Sequence, residues 1–207
     1  MGHTLDRTGR ALFAWVAILV MLAAPASAQS AAPELSRSEV LAAARERALA
    51  VVLEASRSGD AARRAEAIEA AQPDRDRIVA LAQLGLADDD PRVRYRALMA
   101  IGELKLTGLG RSATQLLNDP SPSVRAAAIY AADRTGQRVD KSPLGSLLQE
   151  PLPTARMNTA EILARLGDRS ARPMIQASAG MQLRTAAPEE ERVVQIKLAE
   201  ALVRLGD

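Results

Sequence analysis

DPRVRYRALMAIGELK, Asp90–Lys105, has a near copy in DPSPSVRAAAIYAADRTG, Asp119–Gly136. The relation is clearest with zero set at the Arg of each Val-Arg step. Arg94 is then followed by Ala97 at +3, Ile101 at +7 and Leu104 at +10, and Arg125 by Ala128 and Ala132 at +3 and +7. Arg156 gives Thr159, Leu163 and then Leu166-Gly167-Asp168, while upstream Arg64 gives Ala67 and Ala71. Gln195 holds the last zero and is followed by Leu198, Leu202 and Leu205-Gly206-Asp207. The zeros at 64, 94, 125, 156 and 195 lie 30, 31, 31 and 39 residues apart. Self-similarity at such a period marks a stacked repeat architecture.

Each copy is predicted to be a helix. Asp90 can cap the open N–H groups of a first turn, and Pro91 suits the first helical position, where its missing donor costs nothing. Val93, Ala97, Ala100, Ile101 and Leu104 then form one apolar stripe at about 100° per residue. Between these helices lie second apolar stretches, Ile78 to Leu84, Ser112 to Leu117, Leu144 to Leu148 and Ser170 to Ala179. A single helix pair cannot bury its own apolar face, whereas pairs stacked in series share a core. The expected fold is therefore all-α, a solenoid of about five stacked helix pairs. Ser38 to Ser56 reads as a longer N-terminal capping helix. The insert GMQLRTAAPEEE before the last unit places Glu189 to Glu191 in the first turn of its helix, where the helix dipole favours negative charge.

The first 28 residues read differently. Arg7 and Arg10 precede an apolar run, Ala11 to Ala24, followed by a Pro and Ala26-Ser27-Ala28. That is the layout of a signal peptide cleaved after Ala28, and the run is shorter than the roughly 20 residues a spanning helix needs. The expected organisation is a signal peptide at 1–28, a capping-helix region at 29–58 and a repeat domain at 59–207. The mature chain is expected to be soluble and periplasmic or secreted; contact with a membrane requires that the leader stay attached as an anchor. Removing the leader takes away the only His, Phe and Trp. With no Cys in the chain, export brings no disulfides, and packing must supply stability.

With these residues in hand, the chain resembles the HEAT repeats, specifically short bacterial HEAT-like units of about thirty residues. Asp90-Pro91, Val93-Arg94, Val124-Arg125 and Leu166-Gly167-Asp168 carry the likeness, which covers about residues 59–207. The resemblance implies a scaffold that holds other proteins on a curved surface. A minority of such families, the phycobilin-lyase-like group, attach or detach bilin chromophores, and that is the alternative activity.

Candidate residues follow from the register. Arg94, Arg125 and Arg156 occur once per unit beside the stripe and are expected to form a ladder between repeats with Asp90, Asp119 and their neighbours; ligand binding is the competing reading. Tyr95 and Tyr130 lie roughly 200° and 240° around their helices from the stripe, and Met99 is the repeat equivalent of Tyr130. They are candidate partner contacts, since Tyr is enriched in binding patches; packing against an adjacent unit is the competing reading. Polar positions of the second helices, Arg111, Gln115, Asn118, Arg172 and Gln176, complete the candidate surface on the expectation that second helices line the inner face. A deep pocket is not expected. Asp88-Asp89-Asp90 lacks the spacing of a calcium loop and reads as a capping, solvated loop, so no metal or cofactor is expected. Without His or Cys in the mature chain there is no Ser–His or Cys–His pair, and no catalytic residue is assigned. Arg alternates with Asp and Glu, giving a formal charge of +2 for the chain and no basic face for nucleic acid.

Overall fold

The computed structural model describes residues 36–181 and 187–206, and their regular structure is entirely helical. The signal-peptide reading at 1–28 falls outside the described residues, as do residues 182–186 of the insert. The chain forms two units, residues 1–44 and 45–207. In the first, the described part is the start of α1 (Arg37–Ser56).

The second unit follows the register. α2 (Ala61–Ala70) pairs with α3 (Arg75–Gly85), and α4 (Pro91–Glu103) with a short α5 (Gly110–Thr114) set between 3₁₀ turns. α6 (Pro122–Arg134) pairs with α7 (Pro143–Leu147), and α8 (Pro153–Leu166) with α9 (Arg172–Ala179). α10 (Pro188–Arg204) supplies the first helix of a fifth unit. The stack thus holds four pairs and a fifth first helix among the described residues. Helix starts follow the sequence signals: Asp60 accepts from the Ala62 N–H at 2.9 Å and Asp90 from the Arg92 N–H at 2.8 Å. The residue before each zero is buried in the last four units, as Val93, Val124, Ala155 and Val194. The +3 residues Ala67, Ala97, Ala128, Thr159 and Leu198 are buried too, and the Thr159 hydroxyl is satisfied by donating to the Ala155 carbonyl at 2.7 Å.

Position +11 ends a helix in left-handed backbone in each of the last four units. Gly136, Gly167 and Gly206 have φ of 81°, 72° and 81°, and Lys105 takes the same place with φ 50°. In the first unit the chain turns before that position is reached.

α6 is the most enclosed helix. Ala126 to Ala132 are buried without a break, because α4 packs on one side and α8 on the other. Small side chains let these neighbours come close. Gly102 on α4 makes room for the Tyr130 ring; a Cβ there would sit 2.4 Å from its Cε1. Above the C-terminal part of α6, Arg165 of α8 reaches Glu103 of α4 at 2.7 Å. At the other end of the unit, the second half of α1 meets α3: the Arg77 guanidinium donates to the Leu49 carbonyl at 3.4 Å, and Val52 packs on the core.

Candidate functional site

Two arrangements use the repeated polar residues. The first is a set of arginine straps. Arg64 places Nε and Nη2 on the two carboxylate oxygens of Asp88 at 2.7 and 2.8 Å. Its Nη1 meanwhile donates to the carbonyls of Ser58 and Gly59. Arg94 repeats this on Asp119, at 2.8 and 3.0 Å, with Nη1 on the carbonyls of Asp88 and Asp89. Arg125 reaches Glu150 at 3.3 Å and the carbonyls of Asp119 and Pro120. Each guanidinium therefore ties the loop before its own helix to the loop before the next unit. Two-pronged binding of a carboxylate by Arg combines charge with fixed geometry. The Arg64 guanidinium holds the Asp88 carboxyl below its ordinary value.

Arg156 departs from this pattern. It is 1% exposed and bonds to neutral groups: the Ser178 hydroxyl at 2.9 Å, the Ser178 carbonyl, and the Met181 carbonyl at 3.5 Å. Burial pushes the Arg156 guanidinium below its usual value. Ser178 passes the bond on by donating to the Leu148 carbonyl at 2.9 Å. In the last unit Gln195 donates to the Ala179 carbonyl at 2.8 Å.

The expected pairing between repeats thus holds for Arg94, Asp119 and Arg125, with a correction for Asp90. That carboxylate binds Arg92, two residues on, at 2.8 Å, and caps its own helix. Arg92 lowers the Asp90 carboxyl to about 2. The strap partner is Asp88. Asp88, Asp119 and Glu150 each lie six residues before a zero, and that recurrence is the signal in the sequence that points to them.

The second arrangement is an open groove of about 520 Å³ along α2 and across the N-terminal parts of α4, α6 and α8. Its apolar lining includes Ala62, Pro91, Pro122 and Leu152, and Leu152 is 53% exposed. Tyr95 lines it while packing against the core, and burial raises its phenol above the ordinary value, with the Glu161 carboxylate acting in the same direction. Part of the polar lining is held by neighbours. Arg96 meets Glu69 at 3.5 Å, Arg92 is held by Asp90, and Asn158 donates to the Ser123 hydroxyl at 3.0 Å. Such a lining offers apolar contact with polar groups at the rim.

The candidate contact residues are dispersed. Tyr95 is the one that lines this groove. Tyr130 and Met99, expected as partner contacts, are each only 3% exposed. First helices pack side by side as well as onto second helices, so a second face of each is covered. The packing alternative describes both residues. Arg111, Gln115, Asn118 and Gln176 are exposed and Arg172 is half-buried, on segments away from the groove. This groove is lined by first helices, and the second helices contribute no residue to it. Leu152, Ser123 and Asn158 were not among the expected contacts. Offsets of −2 and +2 from the zero mark the last two in the sequence. Among the described residues, no cluster of potential metal ligands occurs, and no helix is long and apolar enough to cross a membrane.

Comparison with curated proteins finds no similar sequence. Residues 78–154 match the family model for HEAT repeats. This span runs from α3 to the first turn of α8 and includes the strap residues Asp88, Arg94, Asp119, Arg125 and Glu150. The match, the thirty-residue register and the stacked helix pairs agree: the chain carries HEAT repeats over residues 78–154 within a HEAT-like helical stack.

Proposed function

We propose that this protein is an exported, non-catalytic scaffold that holds a protein partner in the groove across α2, α4, α6 and α8. HEAT repeats commonly mediate protein–protein interaction. The groove carries the reading: it exposes Leu152 beside Pro91, Pro122 and Tyr95 within a rim of polar groups, the composition of an interface core and its surround. Arg96 with Glu69 and Asn158 with Ser123 are bonded to one another, which commits those four side chains to structure. Export rests on the leader at 1–28 and predicts a mature N-terminus at or next to Gln29.

Site-specific photo-cross-linking in cells that make the protein natively tests the groove. A cross-linker at Thr154, on the groove, should capture a protein partner, and one at Arg111, away from it, should not. Leu152→Asp should abolish the capture. Adducts from Arg111 alone, or capture that survives Leu152→Asp, would overturn the proposal. N-terminal sequencing tests export separately.

A further inference from the structure

α10, the first helix of the fifth unit, carries an exposed apolar stripe. Val193, Ile196 and Val203 are 47%, 58% and 69% exposed. At about 100° per residue they fall in line with Glu189 and Glu200, opposite the buried Val194, Leu198 and Ala201. Their spacings of three and seven residues suit a seam between two helices. Charge is distributed unevenly along the helix. Glu189, Glu190 and Glu191 fill the first turn, while Lys197 and Arg204 lie in the C-terminal half. Arg192 and Glu200 stand four residues to either side of Ile196.

We propose that α10 is a self-association surface that pairs antiparallel with α10 of a second copy, about a two-fold axis at Ile196. In this register Ile196 meets its own counterpart, and Arg192 of each copy faces Glu200 of the other. The acidic first turn of each helix lies towards the partner's Arg204 end. Parallel pairing would set acidic turn against acidic turn. A two-fold contact must be complementary to itself, and the charge order of α10 meets that condition. Glu200 reaches the seam already neutralised by Lys197 at 2.8 Å. Seventeen residues span about 25 Å. One helix of that length buries less than the roughly 800 Å² per partner of a standard interface, so the dimer is weak and reversible.

Sedimentation equilibrium of the purified chain from about 1 to 300 µM should show a monomer–dimer equilibrium with Kd on the order of 10–100 µM. Ile196→Glu should weaken it at least about tenfold without changing the circular-dichroism melt. Arg192→Glu and Glu200→Arg should each weaken it several-fold, and the double variant should restore it. Three results would overturn the proposal: monomer at every concentration, association unaffected by Ile196→Glu, or a double variant no tighter than the singles. Species growing beyond the dimer would point to head-to-tail stacking and overturn it as well.

Discussion

The straps at Arg64 and Arg94 and the one at Arg156 perform the same task with different chemistry. In the N-terminal part a guanidinium grips a carboxylate with two bonds, and its third nitrogen holds backbone carbonyls. At Arg156 the guanidinium is more deeply buried, and its described partners are a hydroxyl and carbonyls. The geometry of the repeat thus asks for a multiple donor at position zero, and charge on the acceptor is optional. What changes is the consequence of losing one member. Removing half of a buried ion pair strands a charge, whereas removing a buried guanidinium that has only neutral acceptors strands none.

Cutting the carboxylate side should do most damage. Asp119→Ala leaves Arg94 facing a buried gap, and a cost of about 3–5 kcal/mol is expected, read by urea denaturation. The contrast is stronger with one substitution made at both sites. Arg94→Met strands the Asp119 carboxylate, which is 4% exposed, and should cost about 3 kcal/mol. Arg156→Met removes a charge held by neutral groups and should cost no more than about 1–2 kcal/mol, the price of the acceptors it leaves. Equal costs at the two sites would dissolve the distinction.

Acid should separate the regions next. The Asp88 and Asp90 carboxyls are held below their ordinary values by Arg64 and Arg92. Their contribution is complete above the unfolded Asp value of about 3.9 and is lost as pH falls through the folded values, which for Asp90 is about 2. Stability should decline between about pH 4 and pH 2, and Asp88→Asn should flatten part of that decline in thermal melts. Ser178→Ala, which alters the neutral strap, should leave its slope unchanged. The smallest effect concerns Lys105, the residue at +11 that lacks glycine's freedom. Lys105→Gly relieves about 1 kcal/mol of left-handed strain but loosens the unfolded chain by 0.4–1 kcal/mol. The net result should be a melting temperature raised by about 1–2 °C.

Much of the architecture is written in the register. Periodic apolar positions, Pro at the first helical position in α4, α6, α8 and α10, and glycines at +11 act locally, so one copy predicts the next. Strap partners are harder to see, because Arg94 and Asp119 lie 25 residues apart and Asp90 offers a nearer decoy. Tyr130 misleads for a related reason. Its place off the main stripe suggests solvent, yet the lateral approach of α4, permitted by Gly102, covers it. The groove is least legible, since it depends on how four helices are set side by side and no single copy encodes that.

The bridge from Arg165 to Glu103 has a mechanical consequence. Stacked repeats ordinarily lose units one at a time from either end, because each touches only its neighbours. A tie that skips over α6 couples α4, α6 and α8 into one block that must yield together. Stretched or heated, the molecule should fray at its extremities while this middle section gives way in a single step.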